Sequence, residues 1–334
     1  MATALVTGAA GFIGGCLASL LVEQGWTVRA LTRREIAGAP RSALEEVTQD
    51  ALEWVVGDVR SLDRTMEIME GCDAVFHVAA DYRLWARNPE EIYESNVGGT
   101  ENVLEAALRL GVRRVVHTSS VGALGLHPDG SPADETTPVR IEDMVGHYKR
   151  SKFLAERKAE SYAARGLPVV IVNPSTPVGP GDLKPTPTGK IIVDFLNGKM
   201  PAYVDTGLNL VHVRDVAWGH LLAFERGKIG EKYILGNRNM TLSEIFQALE
   251  AVSGVPAPRV RLPHLPVLAL AYINAAISMV TGREPMVPLE GVRMAHRRMF
   301  FDASKAVREL GLPQTPVEDA LAEAVTWYRN NGYA

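Results

Sequence analysis

The stretch TGAAGFIGG, residues 7–15, joins an apolar run, ALV (4–6), to a run with helical periodicity, FIGGCLASLLVEQG (12–25). Gly8, Gly11 and Gly14 stand at the spacing G-x-x-G-x-x-G. Glycine at these positions lets the chain turn tightly, brings backbone N–H groups close to an anion, and allows helix to pack on strand. The helix N-terminus adds unpaired N–H groups and the positive end of a dipole. In this strand–turn–helix context the glycines, with Phe12 and Ile13 opening the helix, read as a dinucleotide pyrophosphate site. Outside that context they would read as a tight turn and nothing more.

Working outward, strands and helices alternate. TVRALT (27–32), LEWVV (52–56), DAVFHVAA (73–80), VRRVVHTSS (112–120) and LPVVIVN (167–173) read as strands. Between them SLDRTMEIMEG (61–71) reads as a helix capped by Ser61. A long helix runs from Asn88-Pro89, with proline at the first helical position, to Gly111. A further helix carries GHYKRSKF (146–153). Near-continuous apolar strands between helices imply a parallel sheet covered on both faces. The expected fold is therefore α/β, a doubly wound Rossmann-type sheet. Residues 1–172 form the dinucleotide domain, and 208–235 return to it. After residue 173 the texture changes: NPSTPVGPGDLKPTPTG (173–189) holds five prolines and cannot be regular helix or central strand. Residues 173–207 and 236–334 are expected to form a smaller, mainly helical substrate lobe, with helices at 241–253, 265–281, 286–297, 303–310 and 316–330.

The end of the second strand bears on which dinucleotide binds. An acid there takes a ribose 2′-hydroxyl, whereas arginine takes a 2′-phosphate. This strand ends Leu31-Thr32-Arg33-Arg34, with no acid before Glu35. NADP is thus preferred and NAD remains open; the alternative is two solvated surface arginines. After the third strand, Asp58 is placed to accept from an adenine amino group and Val59 to pack on the ring.

Bulk properties narrow the classes. With 46% hydrophobic and 22% charged residues the chain is an ordinary globular one. A net charge of −4 argues against a nucleic-acid binder. Cys16 and Cys72 lack metal spacing and read as structural filling, and no metal site is expected. His77, His117 and His212 read as packed or locally bonded. MATALVTGAAG shows no signal-peptide pattern, and a cytoplasmic location is expected. The most apolar stretch, LPVLALAYINAAISMV (265–280), is shorter than the about 20 residues needed to span a bilayer. It reads as a buried or amphipathic helix, or as one that lines a greasy pocket or rests on a membrane surface.

TGAAGFIG, GDV, DAVFHVAA, NVGGT, VVHTSSVGALG, YKRSK and NPSTPVGP, in this order over residues 1–235, resemble the extended short-chain dehydrogenase/reductases of the epimerase–reductase group. The resemblance implies a Ser–Tyr–Lys centre, here Ser120, Tyr148 and Lys152. It also implies a cofactor side that includes Ala79, Ala80, Asn96, Thr118, Pro174 and Ser175, besides Tyr148 and Lys152. Candidate substrate residues are Asp81, Tyr82, Val121, Asn173 and Thr176. His147 stands where many members have proline, which alters how the helix starts. ADYRLWARNPEEIYESNVGGT, GHYKRSKFLAE and EGVRMAHRRMFF further resemble the hopanoid-associated sugar epimerases, whose neighbours are dihydroflavonol-4-reductase-like. This implies a bacterial enzyme of hopanoid lipid biosynthesis acting on a small sugar or hopanoid-linked molecule. Members often pair as homodimers through helices of the sheet face.

Tyr148 and Lys152 are one helical turn apart and share a face. A free tyrosine, with a pKa of about 10, is a poor base, and a neighbouring ammonium favours its phenolate. Ser120 would hydrogen-bond the same substrate oxygen. Dehydration requires a carboxylate pair after the catalytic hydroxyl, but Val121 and Gly122 stand there. A nucleotide-sugar site would place an arginine on TGLNLVHV (206–213), where Leu208 and Asn209 occur; Lys184, Lys190 or Arg293 are possible substitutes. Epimerisation and carbonyl reduction both remain open. A non-catalytic NADP-binding regulator is a minor third reading, which the intact Ser120, Tyr148 and Lys152 oppose.

Overall fold

The computed structural model describes residues 2–33, 51–282, 285 and 289–334. Arg34, Glu35 and the start of the helix expected at 286–297 lie outside the described residues. β1 (Thr3–Thr7) enters α1 (Phe12–Glu23) through the glycine turn. β2 (Thr27–Thr32), β3 (Leu52–Val56), α2 (Leu62–Met69) and β4 (Ala74–His77) follow. α3 (Glu90–Tyr93), one π turn (Glu94–Gly98) and α4 (Gly99–Leu110) lead to β5 (Arg114–Thr118), α5 (Gly146–Ala164) and β6 (Val169–Pro174). Next come β7 (Thr176–Val178), α6 (Pro187–Leu196), β8 (Ala202–Val204), β9 (Gly207–His212), α7 (Val213–Arg226), β10 (Lys232–Leu235) and β11 (Arg238–Thr241). The chain closes with α8 (Leu242–Ser253), β12 (Val260–Leu262), α9 (His264–Thr281), α10 (Leu289–Met294), α11 (Ser304–Leu310) and α12 (Val317–Asn330).

Seven strands form a wholly parallel sheet in the order β10-β6-β5-β4-β1-β2-β3. The chain leaves β1 toward β2 on one side and reaches β4 on the other. The crevice beyond the ends of β1 and β4 is therefore the topological switch point, where this sheet type receives ligands. β4, β5 and β6 are buried almost throughout because both faces are covered. One apolar cluster joins α1 and α7 to the sheet through Leu17, Leu20, Val216 and Leu221. Another joins α2, α4 and α5 through Ile68, Leu104 and Tyr162. A third core, with Phe195 stacked on Phe246 at 5.6 Å, holds α6, α8, α12 and β9 together.

Several elements differ from expectation. The long helix is broken: Pro89 caps rather than opens α3, and a π turn interrupts the run before α4. The extra residue in the π turn lets Asn96 face inward, where it bonds the Asp81 backbone and Ser151. The proline-rich segment holds a short strand, β7, and the first turn of α6, with Pro187 at the helix start and Thr186 as cap. Within 208–235, α7 packs on the main sheet and β10 joins its edge. β9 instead pairs with β7 and β11 in a separate three-stranded sheet. The 265–280 segment is helical as α9, yet its surface is largely open to solvent.

Candidate active site

The glycine turn is shaped by close approach. Gly8 has φ of +72° and lies so near Ala79 that an added Cβ would stand 2.8 Å from backbone atoms. A Cβ at Gly14 would stand 2.2 Å from the Gly8 carbonyl oxygen, so α1 can start here only with glycine. At Gly11 the only near atom is that same oxygen, at 3.2 Å, and the outer side is open to an incoming ligand. Phe12 and Ile13 open α1 above the switch point. The Thr7 hydroxyl accepts from the N–H groups of Val78 and Ala79, both at 3.1 Å, which ties the ends of β1 and β4 together. Ala79 and Ala80 thus border the glycine turn. The geometry fits a dinucleotide.

Past the end of β2, Arg33 is exposed beside Asp58 and Asp81. Asp58 is occupied: Arg60 donates to both its oxygens, at 3.0 and 2.7 Å for the two shortest contacts to Oδ2. Those bonds hold the Asp58 carboxyl below its usual range against burial, with Arg33 adding a small share. Val59 is buried against Gly99, and its carbonyl accepts from Asn102 at 3.0 Å.

At the other end of the crevice, α5 presents Tyr148 and Lys152 to the end of β5. Ser120 caps a short 3-10 turn, Val121–Ala123, and its hydroxyl accepts from Gly122 N at 3.0 Å. The Ser120 hydroxyl lies beside the Tyr148 side chain. Burial raises the Tyr148 pKa, and the neighbouring Ser120 hydroxyl opposes this only in part. The resting group is a phenol. Lys152 is buried, and its ammonium donates to the Thr118 carbonyl at 2.7 Å. Burial pushes its pKa down to about 8, against the charge of Glu156. The Thr118 hydroxyl is bonded to His220 at 2.8 Å. Ser120, Tyr148, Lys152 and Thr118 are therefore brought together.

The expected nicotinamide and substrate residues divide. Pro174 ends β6, and Ser175 N donates to Leu235 O at 3.0 Å. Ser175 Oγ and Asn173 Oδ1 are buried without a hydrogen-bond partner. Asn173 Nδ2 donates to Ser120 O at 3.1 Å and Glu156 Oε2 at 2.7 Å, so it braces the centre. Asn96 is fully engaged by Asp81 and Ser151. Asp81 is paired with Arg83 at 2.6 Å, which turns it away from a substrate role. The Tyr82 hydroxyl donates to Lys184 O at 3.4 Å, and burial raises its pKa. Val121 is buried among Leu124, Ala133 and Phe301, and Thr176 lies in β7. His77 is bonded by Thr7 and Thr100, and His212 by Glu323. His117 packs on His77 at a ring distance of 5.5 Å.

Three residues near the centre were missed. Glu156, one turn beyond Lys152, is wholly buried and accepts from Ser119 Oγ at 2.6 Å as well as from Asn173. The i,i+4 spacing to Lys152 was the available signal. Lys149 is buried with its ammonium 3.8 Å from Met299 Sδ, and burial lowers its pKa to about 8. Glu290 of α10 accepts from His147 N at 3.1 Å and caps α5 two residues before Tyr148. Sequence spacing gives no sign of the last two contacts, which come from distant parts of the chain.

Residues 4–236 match the family model described as the NAD dependent epimerase/dehydratase family. The chain belongs to this family. It is 48% identical over 332 residues to a putative dihydroflavonol 4-reductase of Synechocystis sp., covering 98% of this chain and 95% of that one. It is 36% identical to sterol demethylase protein B of Methylococcus capsulatus, over 99% of both chains. The crystal structure of gox2253 superposes with a TM-score of 0.86 at 46% identity, over 99% of each chain. The fold and the extended short-chain dehydrogenase/reductase resemblance agree with these relatives. The protein is an NAD(P)-dependent enzyme.

Proposed function

We propose that this family member is an NADPH-dependent carbonyl reductase whose substrate is an apolar, polycyclic or hopanoid-linked ketone or aldehyde. Ser120, Tyr148 and Lys152 form its proton-transfer centre. In this reading residues 1–172 hold the cofactor, while 173–207 and 236–334 hold the substrate. The observation that carries it is Asn209, at the position where a nucleotide-sugar enzyme would place an arginine. Its side chain donates to Asn239 at 2.8 Å and Phe301 O at 3.2 Å, and accepts from Asn237 N at 3.0 Å. It is buried and spent on the lobe's own backbone, leaving no cation on β9 for a sugar diphosphate. Lys190, a possible substitute, is paired with Asp194 on the surface. The relatives named as a dihydroflavonol reductase and a sterol demethylase support a ring-bearing substrate.

A bound NADPH would supply the hydride. In this reading Tyr148, which burial keeps a phenol, gives its proton to the carbonyl oxygen. Ser120 donates to the same oxygen as negative charge grows on it. Lys152, fixed by Thr118 O, places its ammonium where it stabilises the phenolate left behind. Arg33 supports NADP over NAD, since the described end of β2 offers no acid.

Tyr148→Phe tests the assignment. NADPH-dependent turnover should fall about a thousandfold, the scale of general-acid catalysis. NADPH binding, followed by fluorescence titration, should persist. Turnover retained in this variant would reject the centre.

A further inference from the structure

Among the described residues, α9 is an apolar helix without a partner on its outer side. From His264 to Thr281 it holds no Asp, Glu, Lys or Arg. Ala271 and Ser278 face inward, whereas Leu265 is 76% exposed, Ile273 58%, Ile277 55% and Met279 80%. Val260 and Leu262 of β12 extend the exposed apolar surface at its N-terminal end. Exposed apolar side chains occur singly on most surfaces, but a whole helix face of them marks an interaction site.

The surroundings of this face are basic. Among the described residues of 259–298 stand five arginines (Arg259, Arg261, Arg293, Arg297 and Arg298) and one glutamate, Glu290, in a chain whose net charge is −4. Arg261 stands on the exposed strand before α9, paired with Asp205 at 2.6 Å. Arg298 reaches the same carboxylate at 3.7 Å, so two guanidinium groups share one acid. A cleft of about 370 Å³ opens there, bordered by Arg261, His264 and His296. At the other end, the Arg87 guanidinium lies 3.9 Å from where a Cβ on Gly282 would stand. An apolar helix face with arginines near both of its ends can lie against a bilayer, its side chains among acyl chains and the cations at anionic headgroups. No helix among the described residues is long and apolar enough to cross a membrane.

We propose that α9 docks the protein peripherally on an anionic lipid bilayer. The helix is well placed to serve the centre described above. α10 packs on α9, and Glu290 of α10 caps the helix that carries Tyr148. Docking would bring the substrate lobe to the surface where an apolar substrate resides. The inference stands on α9 and its arginines and does not depend on the reductase reading.

The test is co-sedimentation of the full chain with vesicles of mixed phosphatidylglycerol and phosphatidylcholine, and with phosphatidylcholine alone. Wild type should bind the anionic vesicles, and binding should fall with added salt. Ile273→Glu/Ile277→Glu, which alters two solvent-facing positions, should weaken binding by at least about tenfold. It should keep the melting temperature and the NADPH binding of wild type. A Met279→Cys variant carrying an environment-sensitive dye should shift to the blue on adding vesicles. The native Cys16 thiol is pushed up to about 12 by burial and Cys72 is also raised, so the label goes to position 279. Absence of binding to anionic vesicles, or equal binding by the double variant, would overturn the proposal. So would a lipid-free dimer that the double variant converts to monomer, because a second copy would then cover α9. A raised KM in lipid-free buffer with unchanged vesicle binding would assign α9 to closing the site instead, and would equally overturn it.

Discussion

Glu156→Ala is the substitution whose cost the structure specifies most fully. The carboxylate is wholly buried and accepts from Ser119 Oγ at 2.6 Å and Asn173 Nδ2 at 2.7 Å. Lys232 and Arg157 reach its other oxygen at 3.3 and 3.2 Å. Alanine leaves a buried hydroxyl and a buried amide without this acceptor, and Lys232 with only one of its two carboxylates, Glu160 at 3.3 Å. Breaking a buried charged network from one side costs about 3–5 kcal/mol. A chain of 334 residues has an unfolding entropy of roughly 0.7 kcal/mol/K near its midpoint, so the melting temperature should fall by about 4–7 °C. Glu156→Gln keeps one acceptor and the shape, and should lose about 1–2 kcal/mol, or roughly 2 °C. Because Asn173 also donates to Ser120 O, Glu156→Ala should lower kcat while the KM for NADPH holds. Differential scanning fluorimetry and steady-state kinetics read both effects. An alanine variant that melts with wild type would refute the reasoning, as would a glutamine variant no better than alanine.

Arg33→Ala should raise the KM for NADPH by about tenfold or more, the scale of one charge-assisted hydrogen bond, and leave the KM for NADH unchanged. Equal effects on both cofactors would remove Arg33 from 2′-phosphate recognition. Acid should destabilise the fold through its buried histidines. Burial lowers His77 to about 3 and His220 to about 4, from 6.5 in the unfolded chain. Below 6.5 the unfolded chain binds protons that the fold refuses. The stability present above that pH is thus lost as pH falls, at about 2 kcal/mol per histidine by about pH 5. Urea midpoints across that range check the slope. His117→Leu, which removes a third such ring with no hydrogen bond to orphan, should make the loss shallower.

The fold was legible because its signals are local. The glycine spacing sits directly between a strand and a helix, and six apolar strands interleaved with helices admit few arrangements other than a parallel sheet. Helical spacing paired Tyr148 with Lys152, but Ser120 joined them only through the family resemblance, since β5 and α5 are separated by irregular chain. What stayed hidden depends on distant pairings. The π turn exists so that Asn96 can bridge Asp81 and Ser151, and no periodicity encodes that demand. Glu290 reaches the helix that carries Tyr148 from nearly the far end of the chain. The 265–280 run was read as more than one kind of helix because hydropathy reports what a segment tolerates, not which face its neighbours cover. Asn209 looked like a missing arginine, and the structure shows it as a buried clamp between β9, β11 and Phe301.

The central claim is net hydride transfer from NADPH to a carbonyl carbon, with Tyr148 supplying the proton. The most direct measurement uses NADPH deuterated at the transferable C4 position and an apolar cyclic ketone or aldehyde, with the product analysed by mass spectrometry. The account predicts one deuterium on the new carbinol carbon for each NADPH oxidised, and loss of that product in Tyr148→Phe. Interconversion of substrate isomers with no net oxidation of the cofactor would contradict it and return the protein to epimerisation.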